Sequence, residues 1–549
     1  MIYYWRIIFF LPLLLISSIN TEPLIDNLLG DDFQEKLFIT RLKNQKFFAQ
    51  FDFNIKVENV SSQTYDLFPR TIAEIVEKYS LNYLSFSLAF SNWLTNDWGY
   101  QPQPEHPVGT SLKVDFQDYV NPDIIWPNLI NALSGIFCGS WHNSATYYTR
   151  TTSKFSREAV FPEESVCTEN FFPFLKILPC KGVAGIASLM NTERFYAADF
   201  NSISLNFNRS TGILKVVTNF VASKDKGLRN FDFESIFGKT LSSSNCRLAS
   251  SSKVYIEAFE GVEFSVAPNK MLEKFGRKFL MYDLLALDLS SISGTFKNPI
   301  IKPIERLSYP PMITVHSSTS HVGEQSGSVI TKIRNKYPTE INVVLSQSIQ
   351  WYIKFFLHTL TFQCNGVNVP FSFKQIIQSR IRDRPYYYKI STTLPSNSLC
   401  ILKFNYGLHL LKTSEYPPDA EKGRVIEGIK LDLLLPSEIY SSNATYINIE
   451  KSDLPNSYIK FIIYGRPVSI QLPLPDFSMP FNVICMVCTV MFNFYGSFHA
   501  LSTKVFLMPT GSLDEQPILR RLLLRLRKKI RNLLKKKIST VTEEKLKME

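Results

Sequence analysis

An apolar run of about 20 residues, Phe481 to Leu501, lies near the C-terminus and limits most strongly how this chain can fold. At ~1.5 Å per residue, a helix of that length crosses the hydrocarbon core of a bilayer. The polar, turn-prone segment Pro475-Asp476-Phe477-Ser478-Met479-Pro480 leads into it, and a basic tail follows. Between Asp514 and Glu549 there are twelve Lys and Arg against five Asp and Glu, a net +7 of the chain's +12. Basic flanks stay on the cytoplasmic side of a span. The sequence therefore predicts a transmembrane helix over 481–501, a cytoplasmic tail over 502–549 and a luminal location for the rest. The basic excess is a sign of topology and gives no reason to expect a nucleic-acid partner.

Both ends of the chain carry further signals. Arg6 followed by the apolar stretch Ile7 to Ile16 reads as a signal peptide over residues 1–21, with Ser17 and Ser18 as small residues near the cleavage point. An uncleaved anchor is the alternative. In the tail, Leu519, Leu523, Leu526, Ile530, Leu533 and Leu534 recur at helical spacing among Arg520, Arg521, Arg525, Arg527, Lys528, Lys529, Arg531 and Lys535 to Lys537. That pattern fits a basic amphipathic helix on an anionic leaflet, or one docked on a neighbouring subunit. Lys545 and Lys547, fifth and third from the end, resemble a dilysine signal for retrieval to the endoplasmic reticulum, although a lysine-rich tail can produce the spacing by chance.

The fold class expected between the ends is mainly β with some α, in two luminal domains. Residues 22–295 read as an α+β, β-sandwich-like N-terminal domain, and residues 296–475 as a C-terminal β-sandwich. From Phe51 to Val57 apolar residues alternate with Asp52, Asn54 and Lys56, the period-two pattern of a half-buried strand. Similar runs occupy Val254 to Val266, Ile341 to Leu345, Ile349 to Phe362, Cys400 to Tyr406 and Tyr458 to Tyr464. A helix starting at Pro69 presents Ile72, Ile75, Val76 and Tyr79 on one face. A second, near Pro127, presents Ile130, Leu133 and Phe137.

Six cysteines fall on the luminal side: Cys138, Cys167, Cys180, Cys246, Cys364 and Cys400. An oxidising lumen favours disulfides among them. Cys364 and Cys400 end and begin two strand-like runs and are expected to pair. Cys485 and Cys488 lie in the apolar run, where helix packing explains them better than redox or zinc chemistry. Asn59, Asn208 and Asn443 head glycosylation sequons, all on the proposed luminal side.

The residues that carry enzymatic chemistry do not assemble into a recognisable site. Cys138 and His142 form the only close luminal thiol–imidazole pairing, without a protease-like surround. His106, His316, His321, His358 and His409 lack metal-ligand spacing, and HExxH and GxSxG motifs are absent. No catalytic residue, metal or cofactor is expected. At the membrane boundary, Asp476 could pair with an ammonium group, and Ser478 and Asn482 could hydrogen-bond phosphate or hydroxyls. The same residues could instead cap the helix, with Pro480 setting the turn. Asn493 inside the span should face another helix.

A series of short motifs runs along the chain in order: Leu67-Phe68-Pro69, Lys78-Tyr79-Ser80-Leu81, Trp98-Gly99, Leu133-Ser134-Gly135-Ile136-Phe137-Cys138, Val166-Cys167-Thr168-Glu169-Asn170, Leu178-Pro179-Cys180, His358-Thr359-Leu360-Thr361, Glu415-Tyr416 and the run Asp476 to Cys485. In this order and spacing they resemble the PIG-T family, a subunit of the glycosylphosphatidylinositol (GPI) transamidase. The resemblance implies a non-catalytic scaffold subunit in the endoplasmic-reticulum membrane. Its implied partners are a caspase-like protease subunit, an aminopeptidase-like subunit, other membrane subunits and the GPI lipid, which Asp476, Ser478 and Asn482 would help to bind. The resemblance also implies that Cys167 forms a disulfide to the protease subunit. With Cys167 so committed, Cys180 pairs with Cys246 and Cys138 stays buried and reduced; an internal Cys167–Cys180 bond is the alternative. Competing readings of the whole chain are a single-pass cargo receptor or lectin-like chaperone, and a luminal hydrolase.

Overall fold

The computed structural model describes residues 31–42, 46–57, 67–101, 105–141, 149–162, 168–223, 230–241, 245–258, 262–274, 277–286, 293–296, 311–323, 325–416, 420–435, 459–473, 478–504 and 522–532. Met1–Leu474 form one compact unit and Pro475–Glu549 a second.

Eleven strands of the first unit make a single sheet. Their spatial order is Lys270–Lys274, Arg277–Asp283, Ser251–Glu257, Asp32–Arg41, Lys46–Lys56, Ile213–Ser223, Phe200–Asn208, Leu81–Ala89, Gly109–Phe116, Ser156–Phe161 and Thr149–Ser153. Asp32–Arg41 and Ser251–Glu257 run parallel; the other neighbours are antiparallel. The alternation read from Phe51 onward becomes the inner face of Lys46–Lys56: Phe47, Ala49, Phe51, Phe53 and Ile55 enter the core. Strand periodicity sends Asp52 and Asn54 to the opposite face, where Lys215 pairs with Asp52 at 2.8 Å.

Short helices cover the apolar face. Arg70–Lys78 buries Ile72, Ala73, Ile75 and Val76, and the carbonyl of Pro69, its N-cap, accepts from the amides of Ile72 and Ala73. The second helix begins earlier than the sequence predicted, at Pro122, and runs to Phe137. Asn121 caps it by accepting from the Asp123 amide, and Pro122 takes the first position, where a missing N–H costs little. Pro127 therefore sits inside the helix and gives up one i→i−4 bond. Ile130, Leu133 and Phe137 are buried as expected.

A second core belongs to a sandwich. One sheet runs Ile313–Val322, Ser326–Asn335, Ser398–Leu408, Thr361–Cys364, Val367–Asn368, with Ile353–Phe355 also pairing Ser398–Leu408. The other runs Ser372–Ile377, Tyr386–Leu394, Ile341–Ile349, Lys430–Leu435, Ile459–Tyr464. Leu402, Phe404 and Tyr406 from the first sheet share this core with Val343, Leu345, Tyr388, Ile390, Leu431 and Phe461 from the second.

Two runs read as continuous are broken. Val254 to Val266 divides into Ser251–Glu257, in the eleven-stranded sheet, and Val262–Phe264, in a separate three-stranded sheet. Ile349 to Phe362 divides into the end of Ile341–Ile349, Ile353–Phe355, a 3-10 turn at Leu357–Thr359 and the start of Thr361–Cys364. In both, apolar residues belong to successive short pieces, and periodicity does not register the turns between them.

In the second unit, Ser478–Ser502 is one helix, longer at its start than the predicted 481–501, and long and apolar enough to cross a membrane. Pro480 lies in its first turn, where backbone N–H groups have no helical partner in any case. Residues 522–532 form a helix within the basic pattern of the tail.

Candidate functional site

The most highly organised polar site joins the two cores. Arg150, on an edge strand of the large sheet, donates through Nη2 to Glu158 at 2.7 Å and through Nη1 to both carboxylate oxygens of Glu427, at 3.0 and 2.9 Å. Arg150 is 4% exposed and Glu427 3%, so these charges are paired almost out of contact with water. The Tyr387 ring lies 5.2 Å from the guanidinium. Gln347 in turn donates to the Glu427 carbonyl at 2.8 Å and accepts from the Tyr388 hydroxyl at 2.7 Å. Gly428 follows because the chain passes Gly465 so closely that a Cβ would stand 1.9 Å from that residue's carbonyl oxygen.

Arg150 favours the charged form of both carboxylates, but burial leaves them shifted in opposite directions. Burial pushes Glu158 up, but Arg150, Lys430 and Lys113 outweigh it and hold the group at about 2. Burial dominates at Glu427 and leaves it above the ordinary carboxylate range despite Arg150. Beside this cluster opens a cleft of about 520 Å³, bounded by Lys113, Asp115 and Asp118 from the first core and Lys389, Lys430 and Asp432 from the second. Tyr100 provides another join: its hydroxyl accepts from the Ile313 amide at 2.7 Å, and its ring meets Phe461 edge-on at 4.7 Å.

None of these seam residues stood out in the sequence. Glu427 alone left a trace, as a carboxylate set among Ile426, Gly428 and Ile429. Arg150 sits in the polar segment Thr149-Arg150-Thr151-Thr152-Ser153, which looks like any exposed edge.

The predicted site residues divide between the two units, and several lie outside the described residues. Cys167 lies outside the described residues, but Thr168–Asn170 just after it form a 3-10 turn. Asn170 Nδ2 donates to the carbonyls of Phe137 and, at 3.2 Å, Cys138, tying this turn to a helix end. Asp476 is also outside the described residues. Ser478 opens the apolar helix, and Asn482 is exposed in its first turns. Asn59, Asn443, Lys545 and Lys547 lie outside the described residues. Asn208 ends the strand Phe200–Asn208, and its Oδ1 accepts from the Ser210 amide at 3.0 Å and the Ser210 hydroxyl at 2.7 Å.

Cys364 and Cys400, directly opposite in adjacent strands, are bonded, as are Cys180 and Cys246. The second bond excludes the Cys167–Cys180 alternative. Cys138 is a free thiol, and it is exposed, which corrects the expectation that it is buried. The helix stops at Phe137; Cys138 is its C-cap at φ 55, a left-handed turn that takes it off the helix's buried face. Among the described residues no group of three or more His, Cys, Asp or Glu could hold a metal.

Several motif residues have structural roles. Leu67 and Phe68 are core. Thr359 Oγ1 accepts from the Asn405 amide at 2.9 Å and donates to the Phe356 carbonyl at 2.7 Å. Glu415 receives Arg382, whose guanidinium lies 5.1 Å from the Trp351 ring, and the Tyr416 hydroxyl donates to the Pro473 carbonyl at 2.8 Å.

The fold thus defines a large, mainly β protein with two hydrophobic cores and one helix fit to cross a membrane. The chain belongs to the Gpi16 family: the family model for the Gpi16 subunit, a GPI transamidase component, matches residues 10–219 and 219–531. It is 31% identical to the GPI-anchor transamidase component PIGT of Homo sapiens, over 87% of this chain and 91% of the human one. The GPI transamidase component PIG-T homolog of Schizosaccharomyces pombe is 26% identical over 90% and 94%, and the GPI transamidase component GPI16 of Saccharomyces cerevisiae 25% identical over 87% and 90%. A likeness to the collagen-binding domain of a Staphylococcus aureus adhesin has a TM-score of 0.16 at 10% identity, over 29% of this chain and 97% of that one. Similarity that low carries no argument.

Proposed function

We propose that this chain is a non-catalytic scaffold subunit of a GPI transamidase complex in the endoplasmic-reticulum membrane, with residues 22–475 luminal and the tail cytoplasmic. The complex attaches GPI anchors to the C-termini of precursor proteins. The observation that carries the reading is the family match, which runs through both halves of the chain and past the apolar helix. The two hydrophobic cores support dividing the luminal part into domains near residues 295 and 296. The buried charges at the seam favour one rigid body, and a rigid body suits a subunit whose contribution is position and effective concentration.

In this reading Cys167 bonds the caspase-like protease subunit. Support comes from the Cys180–Cys246 and Cys364–Cys400 bonds, which leave Cys138 and Cys167 as the remaining luminal thiols. Asp476, Ser478 and Asn482 help to form the GPI-lipid site at the membrane boundary. An aminopeptidase-like subunit and further membrane subunits complete the assembly. Asn59, Asn208 and Asn443 carry glycans, and Lys545 and Lys547 return the protein to the endoplasmic reticulum.

Depleting the chain from its own cells tests this reading. GPI-anchored proteins should leave the surface, and their precursors should accumulate with the C-terminal signal uncleaved. Normal anchoring after complete depletion would overturn the proposal.

A further inference from the structure

Strand register places two polar rows near one edge of the large sheet. Leu84, Leu112, Val114, Leu205 and Phe207 enter the core, so alternation turns their neighbours to the opposite face. One row crosses five strands as Asn206, Ser85, Lys113, Glu158 and Arg150. The next crosses four, as Asn208, Tyr83, Asp115 and Ser156. Both rows lead into the cleft between the cores, which Lys113, Asp115, Ser156, Glu158 and Arg150 help to line. Adjacent strands lie ~4.8 Å apart, which puts Asn208 about 10 Å from Asp115. The Arg209 amide donates to the carbonyl of Asn82, another cleft residue, at 2.9 Å.

Two features specify an occupant. The cleft volume of about 520 Å³ falls within the usual range for a ligand site. Its walls carry Lys113, Lys389, Lys430 and Arg150 against Asp115, Asp118, Asp432 and Glu158. Balanced charges favour neither an anion nor a cation, while providing donors and acceptors together, which suits a neutral polyhydroxylic ligand. Asn208 is arranged to supply one. Because its Oδ1 is held by Ser210, its Nδ2 is turned away from that turn. The half-buried Tyr83 ring lies next to it in the row, on the way to the cleft.

We infer that the glycan on Asn208 folds back across Tyr83 and seats its first sugars in this cleft, as a hydrogen-bonded strut between the two cores. The inference rests on the luminal, glycosylated state proposed above for Asn208. In attachment, the amide nitrogen loses a proton and bonds to the sugar's C1 while a lipid diphosphate carrier departs with the bonding pair. The secretory machinery supplies that step; this chain supplies the acceptor and the seat.

The test uses the full chain, purified in mild detergent from a secretory host and treated with peptide N-glycosidase without denaturation. Release is followed by mass spectrometry of the glycopeptides. In the wild-type protein the Asn208 glycan should resist release, and Asp115→Ala with Lys389→Ala should speed its release about tenfold or more, the effect of losing one or two hydrogen bonds at ~1 kcal/mol each. Ser210→Ala, which abolishes the sequon but keeps Asn208, should speed acylation of the Lys389 amine by a similar factor. That second readout covers a failure of the double variant to fold. A glycan present at Asn208 but released as fast from native as from denatured protein overturns this inference alone. A wholly unmodified Asn208 overturns it together with the glycosylation reading.

Discussion

Replacing Arg150 with Met removes the guanidinium hydrogen-bonded to both Glu158 and Glu427 and leaves two carboxylates buried at the seam. Removing one partner of a buried ion pair costs ~3–5 kcal/mol, because the remaining charge is neither solvated nor compensated. Glu427→Gln is a different perturbation. The amide keeps an oxygen to accept from Arg150 and removes a charge that burial already disfavours, so its cost at neutral pH should be at most about 1 kcal/mol. A gap of ~3 kcal/mol between the variants is about a hundredfold in the folding equilibrium. Denaturant unfolding of the detergent-solubilised full chain, read by tryptophan fluorescence, measures the gap. Hydrogen exchange then locates it, and the peptides covering 149–161 and 386–394 should exchange faster in Arg150→Met. The pH dependence of the two carboxylates has opposite signs. Glu158, held at about 2, contributes fully at neutral pH and loses its contribution as pH falls from about 4.5 toward 2. Glu427, raised, favours folding most at low pH and loses that contribution as pH rises through its folded value. Equal damage from both variants, or unchanged exchange at the seam in Arg150→Met, would refute the reasoning.

Burial lowers fully buried His106 to about 4, so the unfolded chain takes up a proton below 6.5 that the native one refuses. About 2 kcal/mol of stability should be lost between pH 7 and pH 5, and His106→Leu should remove most of that loss in unfolding curves taken at the two pH values. Cys246→Ala opens a bond spanning 66 residues and should cost about 4 kcal/mol, seen as a lower denaturant midpoint under nonreducing conditions. Gly185 has φ +67, and a Cβ there would stand 2.5 Å from Glu35 Oε1 and 2.9 Å from the Cys246 Cβ. Gly185→Ala should therefore destabilise by about 2 kcal/mol or more, measured in the same unfolding assay.

The legible parts of the fold are those where one segment determines its own structure. Alternation at 51–57, 341–345, 400–406 and 458–464 marks strands because each has one face on a core, and the apolar faces of the first two helices are equally local. The Cys364–Cys400 bond was legible because both residues sit in strand-like runs. Boundaries are harder: the sequence points to a helix start near Pro127, whereas Asn121 and Pro122 start it, because a cap depends on side-chain geometry as well as residue type. The run from Val254 conceals a change of sheet, since apolar spacing is blind to which sheet receives it. The seam was not legible at all. Arg150, Glu158 and Glu427 come from distant segments, and only the tertiary fold makes their charges neighbours. The exposure of Cys138 depended on a left-handed turn at a residue other than glycine, which no local pattern announces.

The proposed scaffold role has this chain hold its partners in place, one of them through a disulfide, and supply no catalytic group. The most direct measurement is gentle-detergent purification of the tagged full chain, run on nonreducing and reducing gels beside a Cys167→Ser variant. The account predicts a disulfide-linked adduct with a protease-sized partner that vanishes on reduction and in the variant, with further membrane subunits co-purifying. A chain that purifies alone, without adduct or membrane partners, would contradict it.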